Sequence, residues 1–335
     1  MSERIAPAEL SDPAAVINPT NFTGMTPLIE VKNLVKRFDD LVAVDDLSFT
    51  VYPADVYGFL GQNGAGKSTS IRMLLSLIKP TSGEISLFGM DLQKHRFEIL
   101  RRVGAVIERP DLYKYLSAID NLSIFARMSG IRPGRKQLME QLEMVGLAER
   151  ADGKVRTYSQ GMKQRLGIAV ALVHDPDLVI LDEPTNGLDP QGIADMRNLI
   201  LRLSREMGKT VLVSSHLLSE IEQVATRMII IDKGRKMVEG GVAELFKPSN
   251  SRIHIKVEQP GRAWQLLQQS EWKPFMEQGP DGELIVIMSP DKVPALASEL
   301  VQQGVGLLSI RSANSLEEYF LSLTSGKQHV ASFKH

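Results

Sequence analysis

The sequence predicts an α/β protein with a mixed β-sheet core, an inserted helical lobe and a small α+β domain at the C-terminal end. Apolar runs at 178–181 and 211–213 are typical of central strands that are buried on both faces. A mostly helical pattern over 117–173 interrupts the strands of this core. Strict alternation of polar and apolar residues restarts at 252–257, which indicates a second, smaller domain.

The composition is that of a folded globular protein. The chain has 335 residues, of which 43% are hydrophobic and 24% charged. Its formal net charge of −1 argues against a general nucleic-acid binder, which carries a basic excess. The absence of cysteine excludes disulfides, thiolate catalysis and cysteine-ligated metals. Because no apolar run approaches the length of a bilayer span and no leader pattern is visible, we expect neither a membrane span nor a secretion signal.

The pattern divides the chain into segments. Prolines without apolar periodicity predict that residues 1–27 are a disordered tail without a chemical role. We expect the core to occupy 28–246, with the helical lobe at about 90–175. The α+β domain is expected at 251–325 and a second tail at 326–335.

Short strands open the core. Apolar and β-branched runs predict strands at 28–31, 41–44, 47–51, 56–60, 85–88 and 103–107. Phe38 falls in a polar stretch between the first two, where we expect a turn. An aromatic side chain there either anchors a small part of the core or stacks on a nucleotide base, and its residue type favours neither.

A glycine-rich loop between a strand and a helix is the strongest functional signal. It reads Gly61-Gln62-Asn63-Gly64-Ala65-Gly66-Lys67-Ser68-Thr69. Glycines let the backbone turn its N–H groups inward, and the helix N-terminus adds positive potential, so the loop suits a polyphosphate. Lys67 is predicted to reach the β- and γ-phosphates and Ser68 to ligate Mg²⁺. The sequence therefore predicts a nucleoside triphosphate site.

Two carboxylates follow the apolar run 178–181. In a doubly wound sheet, ligands lie beyond the carboxyl ends of the strands, so Asp182 and Glu183 should meet the bound phosphates. Asp182 is predicted to hold Mg²⁺, and Glu183 to orient or deprotonate the attacking water. The alternative is a pair of solvated acids at a strand end.

A histidine follows the next buried strand. His216 either donates to the γ-phosphate or holds Glu183 in place, or else it caps a helix and has no catalytic part. His174 precedes Asp175-Pro176 away from any predicted strand end, and we interpret it as structural.

The segment 158–165, Tyr-Ser-Gln-Gly-Met-Lys-Gln-Arg, resembles the signature motif of ATP-binding cassette (ABC) proteins. The resemblance covers about 28–244 and implies a P-loop NTPase cassette that uses ATP and Mg²⁺. It implies roles for further residues: Phe38 as the adenine-stacking aromatic; Gly61, Asn63, Gly64, Gly66, Lys67, Ser68 and Thr69 as ATP-binding residues; Glu183 and His216 as the catalytic pair; and Asp189 as a dimer contact.

In this family two cassettes pair head to tail, and the signature of one closes over ATP held by the other. The resemblance thus implies that Ser159 and Gly161 contact a γ-phosphate across a dimer of two copies, or of this chain and a homologous cassette. Gln160 and Met162 depart from the common Leu-Ser-Gly-Gly-Gln motif, which leaves the phosphate-contacting pair Ser159 and Gly161 intact but bears on the strength of closure.

Glu108 stands where most family members have a glutamine that faces the magnesium ion. It either ligates the metal, turns away in the open state, or is a surface carboxylate without a special part. Cassettes resembling bacterial antibiotic-resistance and lantibiotic-immunity exporters carry the same acidic residue followed by a proline and aromatics, here Pro110, Tyr113 and Tyr115. This favours export.

The resemblance also implies a separate transmembrane permease, with this chain peripheral at the cytoplasmic face. Tyr113, Tyr115 and Leu116 either line a groove for a permease helix or pack the lobe. The leading hypothesis is an exporter ATPase with no nucleic-acid partner. The alternatives are a soluble ABC-type mechanoenzyme that acts on ribosomes or DNA, and a regulatory ATP-binding protein that does not hydrolyse, against which Glu183 and His216 argue.

The last domain shows no constellation of ligands or nucleophiles. Strands are predicted at 252–257, 284–287 and 307–310, with helices near Trp264 and at 293–303. A capping box that begins at Ser315 predicts a last helix through Leu323. Such a domain either stabilises a dimer or regulates the cassette, or it merely covers it.

Overall fold

The computed structural model describes residues 25–246, 251–278 and 283–313. Most of the predicted tail at 1–27, the helix predicted from Ser315 to Leu323 and the tail at 326–335 lie outside these residues.

The described strands are β1 (Ile29–Phe38), β2 (Leu41–Val51), β3 (Val56–Leu60), β4 (Ser82–Leu87), β5 (Met90–Asp91), β6 (Val103–Val106), β7 (Leu178–Asp182), β8 (Thr210–Ser215), β9 (Arg227–Asp232), β10 (Arg235–Gly241), β11 (Ser251–Val257), β12 (Met276–Gln278), β13 (Leu284–Met288) and β14 (Leu307–Ala313). The α-helices are α1 (Lys67–Leu74), α2 (Arg96–Leu100), α3 (Ala118–Met128), α4 (Arg135–Met144), α5 (Gln160–Leu172), α6 (Pro190–Arg205), α7 (Leu218–Val224), α8 (Val242–Leu245), α9 (Pro260–Gln268) and α10 (Val293–Gln302).

The chain divides into two compact units between Val242 and Ala243. The first contains a six-stranded sheet in the order β10-β9-β3-β8-β7-β6, parallel except for the edge strand β10. Strands β3, β7 and β8 are buried throughout, as their apolar runs predict. Because these three are neighbours and parallel, their carboxyl ends meet at one edge, where Leu60 is paired with Ser215 and Asp182 with Ser214.

A second, antiparallel sheet has the order β2-β1-β4-β5. Here the prediction was wrong in two places: Phe38 ends β1 rather than lying in a turn, and 41–51 is one strand rather than two. The cause is cross-strand pairing, since Phe38 pairs with Leu41 and irregularities in the register let the polar stretch stay in the ladder. Phe49 of β2 packs its ring against Tyr57 and Phe59 of β3, at 5.8 and 5.3 Å between centroids, so the main core joins the two sheets.

The helical lobe is built from α3, α4 and α5, which pack on one another. Glycines lie at the two ends of α4: Gly134 precedes its first residue, and Gly146, in the left-handed region at φ 67°, follows its last turn. Buried Asn121 of α3 holds the segment entering the lobe, because its side chain both accepts from the Tyr113 N–H and donates to the Tyr113 carbonyl.

The second unit has the chain order β11-α9-β12-β13-α10-β14 and an antiparallel sheet ordered β12-β13-β11-β14. This is the split βαβ arrangement of ferredoxin-like folds. Its core includes Ile253 and Ile255 of β11, Trp272, and Leu296 and Leu300 of α10. The strand β12, only three residues long, was not predicted because its sequence carries no alternation long enough to recognise.

Helix length bears on the membrane question. The longest described helix, α6, has 16 residues. Over the described ranges, no helix combines the length and the apolar character that a bilayer crossing requires.

Candidate active site

The glycine-rich loop joins β3 to α1 and its shape depends on its glycines. Gly64 and Gly66 have φ of 83° and 105°, a region that side-chain-bearing residues rarely adopt. A Cβ on Gly66 would lie 2.6 Å from the Ala43 carbonyl oxygen, and one on Gly61 would lie 2.7 Å from that of Ile231. The tight turn leaves the first N–H groups of α1 at the mouth of the loop, where a phosphate can accept from them.

Lys67, the first residue of α1, folds back over this loop. Its Nζ lies 2.7 Å from the Gly61 carbonyl oxygen and 3.0 Å from Glu183 Oε1, and its side chain is only 5% exposed. A buried ammonium in this position is available to phosphate oxygens once it exchanges its carboxylate partner.

Asp182 ends β7 with one oxygen bonded and the other without a partner. Ser214 of β8 donates its hydroxyl to Asp182 Oδ1 at 2.6 Å, and the same hydroxyl accepts from the Glu183 N–H at 2.9 Å. Asp182 is fully buried, and its Oδ2 has no hydrogen-bond partner in the described part of the chain. A buried carboxylate oxygen without a donor is costly unless a cation meets it, so the site fits a magnesium ion.

Ser214 was given no role from the sequence, although it sets the orientation of Asp182. The signal that could have revealed it is a hydroxyl at the carboxyl end of a fully buried strand, beside the strand that carries the acids.

Glu183 is held by two basic side chains. Its Oε2 lies 2.8 Å from His216 Nδ1, and its Oε1 pairs with Lys67. Its φ of 50° is uncommon for a residue other than glycine and turns the chain sharply after β7. His216 makes no cap to α7, whose N-terminus has no side-chain cap hydrogen bond. The geometry therefore favours the reading in which His216 holds Glu183.

The signature segment opens α5. Ser159 is the exposed N-cap, and its hydroxyl accepts from the Met162 N–H at 3.2 Å. The nearest atom to a Cβ added at Gly161 is Leu188 Cδ2 at 3.8 Å, which is ordinary van der Waals contact, so this position is not crowded by the chain itself. Buried Tyr158 donates its hydroxyl to the Arg150 carbonyl at 2.5 Å, and burial raises the pKa of this phenol, which stays protonated at neutral pH.

Two predicted contact residues lie at exposed positions. Asp189 is the N-cap of α6 and accepts from the Gly192 N–H at 3.0 Å. Phe38 is 43% exposed at the end of β1, with Lys36 Nζ 4.7 Å from its ring centroid. An exposed ring face of this kind can stack on a base.

Glu108 follows β6 and is turned toward α1. Its Oε1 pairs with Arg72 Nη2 at 2.7 Å, both side chains are exposed, and its φ is 56°. In this arrangement the Glu108 carboxylate is paired with Arg72. Its role as a magnesium ligand stays a prediction. Over the described residues, no group of three or more histidine, aspartate or glutamate side chains could hold a metal by itself.

The aromatic side chains of the lobe entrance differ in surroundings. Tyr113 packs against Phe125, at 5.9 Å between ring centroids, which is the lobe-packing alternative. Tyr115 is 79% exposed. Tyr113 is also 48% exposed, so both rings are accessible to a partner and Tyr115 is the more exposed of the two.

Comparisons with known proteins identify relatives of this arrangement. The family model described as "ABC transporter" matches residues 44–186. The bacitracin transport ATP-binding protein BcrA of Bacillus licheniformis is 43% identical over 303 residues, 90% of this chain and 99% of that protein. The Nod factor export ATP-binding protein I of Cupriavidus metallidurans is 38% identical over 307 residues, 90% of this chain and 98% of that protein.

Solved cassettes match about two thirds of the chain. The cbiO1 protein of Clostridium perfringens, part of the ABC transporter complex cbiONQ, is 26% identical with a TM-score of 0.60 over 66% of this chain and 90% of its own. The ATP-binding cassette MJ0796, solved as a dimer in a post-hydrolysis state with ADP and Pi, is 27% identical with a TM-score of 0.58 over 64% of this chain and 98% of its own.

Proposed function

This chain belongs to the ABC transporter family as an ATP-binding, ATP-hydrolysing subunit, and we propose that it drives a separate transmembrane permease that works as an exporter. The observation that carries the export proposal is full-length similarity to transport and export ATPases. BcrA and the Nod factor export protein align with 90% of this chain, which extends past the cassette into the second unit.

Within one cassette the proposed roles follow the contacts. The loop amides and Lys67 bind the ATP phosphates, Asn63 and Thr69 complete the loop, and the Phe38 ring stacks on adenine. Ser68 and Asp182 Oδ2 would hold Mg²⁺, which supplies charge neutralisation at the phosphates.

Glu183 and His216 are the proposed catalytic pair. The Glu183 carboxylate accepts a proton from the attacking water, and His216 fixes its orientation through the contact at 2.8 Å. Since Glu183 also pairs with Lys67, ATP binding must take Lys67 from the carboxylate, which frees one of its oxygens for the water.

The proposed working unit is a dimer, with a second copy or a homologous cassette. Ser159, exposed as the N-cap of α5, and Gly161 are proposed to meet a γ-phosphate held by the other cassette, and their position at a helix N-terminus supports this. Asp189 is proposed as a contact across the same interface. The solved MJ0796 cassette, which is a dimer, supports this arrangement.

We place the protein at the cytoplasmic face of the membrane, held there by the permease. Tyr115 and Leu116 are the proposed docking residues at the entrance of the lobe. The formal net charge of −1 offers no general attraction to nucleic acid.

Isolation of the protein from detergent-solubilised native membranes tests the proposal. We expect a polytopic membrane protein to co-purify in fixed ratio with this chain. If a Tyr115→Ala variant that still binds ATP no longer recovers this membrane protein, docking at the lobe is supported. Reproducible recovery of ribosomes or DNA, with no membrane protein, would favour the soluble mechanoenzyme.

Removal of residues 251–335 tests the proposed division into domains. Because the nucleotide site lies wholly in the first unit and the second has its own core, we expect ATP affinity to change by less than about twofold, while dimerisation or the regulation of turnover changes. Isothermal titration and sedimentation measure the two effects. Loss of ATP binding in a folded truncated protein would show that the second unit is part of the cassette.

A further inference from the structure

Glu220, on α7, joins two loops that leave neighbouring strands. Its Oε2 accepts from the Thr185 hydroxyl at 2.8 Å and from the Ser215 hydroxyl at 2.6 Å. Ser215 is almost fully buried, and its oxygen also accepts from the Leu217 N–H at 3.0 Å. A single carboxylate oxygen therefore fixes both loops at once.

Each of these loops carries a residue of the proposed site. Thr185 lies two residues after Glu183, in the segment 183–189 that connects β7 to α6 and is called the Asp189 loop. Ser215 directly precedes His216. The Asp189 loop is compact, because the Asn186 N–H donates to the Glu183 carbonyl and the Leu188 N–H to the Thr185 carbonyl, both at 3.1 Å. A displacement at Asp189 would thus be carried to Thr185 rather than absorbed between them.

On the described part of the chain, no basic side chain pairs with the carboxylate of Glu220. The side chain of Glu220 is held by the hydroxyls of Thr185 and Ser215. Hydrogen bonds to an ionised carboxylate are about twice as strong as neutral ones, which makes this a firm link between the loops.

We propose that Glu220 is a positioning residue that couples the Asp189 loop to the Glu183–His216 pair, so that contact with a second cassette sets the geometry of the pair. This inference rests on the proposed function. Glu220 does not touch the nucleotide in this scheme; it keeps the two loops in register, and the 2.8 Å contact between His216 and Glu183 depends on that register.

The test compares Thr185→Val with Thr226→Val. Both threonine hydroxyls donate to a carboxylate at 2.8 Å, but Thr226 bonds to Asp55, which makes no contact with Glu183 or His216. We expect Thr185→Val to lower kcat by about 10- to 100-fold, the range for loss of one bond to a charged group, with KM changed by less than about twofold. Glu220→Ala removes two such bonds and should lower kcat at least as much. Glu220→Gln keeps an acceptor oxygen and should recover most of the rate. The control variant Thr226→Val should leave both kcat and KM unchanged.

Two further measurements separate positioning from loss of stability. If Glu220 acts through the pair, Glu220→Ala should cost little more in a His216→Ala background, since the effects of residues that act as a unit are not additive. In the nucleotide-free protein, hydrogen exchange at 183–189 and at 214–218 should accelerate together in Glu220→Ala and in neither segment in Thr226→Val.

Additive effects of Glu220→Ala and His216→Ala, or equal losses in the two threonine variants, would overturn the proposal. These outcomes are separate from failure of the proposed function, which would show as absence of ATP turnover in the unaltered protein.

Discussion

Glu183→Gln is expected to lower ATP turnover by about 10²- to 10⁴-fold, the usual contribution of a positioned general base. The amide keeps the shape of the side chain but cannot accept the proton of the attacking water. Binding should survive, because the variant removes the carboxylate that competes with phosphate for Lys67 at 3.0 Å. We therefore expect ATP affinity equal to or higher than that of the unaltered protein.

The same variant should accumulate as a dimer with ATP, because the closed state cannot be left by hydrolysis. Phosphate release, equilibrium nucleotide binding and size-exclusion chromatography measure the three effects. Glu239→Gln is a matched control: Glu239 is 16% exposed against 15% for Glu183, and it lies in a contact with Tyr57 and Arg227 instead of the nucleotide site. Unchanged turnover in Glu183→Gln would remove Glu183 as the base.

The sequence predicted that Lys67, Asp182 and Glu183 would lie together at one edge of the sheet, where the structure has them, while their roles stay a proposal. The phosphate loop needs glycine where φ is positive, and apolar runs that end in polar residues mark strand ends at one edge of a parallel sheet. Residues at strand ends could therefore be assigned to one site without a structure. The pairing of His216 with Glu183 was one of the alternatives that followed from the position of His216 at the end of a buried strand.

Residues that act through other residues were not predictable in the same way. Ser214 and Glu220 carry no motif, and their importance lies in which atoms they meet across two strands and a helix. Likewise β1 extends to Phe38 because of pairing with β2, a long-range interaction that local composition does not report. These features depend on contacts between segments that are distant in sequence, and such contacts are visible only in the structure.

Lys67→Met is expected to weaken ATP binding by roughly 30-fold to several thousand-fold, since truncation of one partner of a buried charged pair costs about 2–5 kcal/mol. Met keeps the apolar stem and removes the ammonium that meets the phosphates. Lys209→Met is the matched control, because Lys209 is also largely buried, at 12% exposed, and pairs with the carboxylate of Asp175 at 2.5 Å away from the phosphate loop. Titration with a fluorescent ATP analogue should find Lys209→Met unchanged.

The Lys67→Met protein should also be less stable without nucleotide, because Glu183 Oε1 then keeps a partly buried charge without its cation. In the double variant Lys67→Met/Glu183→Gln neither charge remains, so thermal stability should return toward that of the unaltered protein while ATP affinity stays low. This separates the two functions of Lys67: stability follows its pairing with Glu183, and binding follows its contact with phosphate. Recovery of ATP affinity in the double variant would contradict that separation, since it would show that Lys67 acts only by neutralising Glu183.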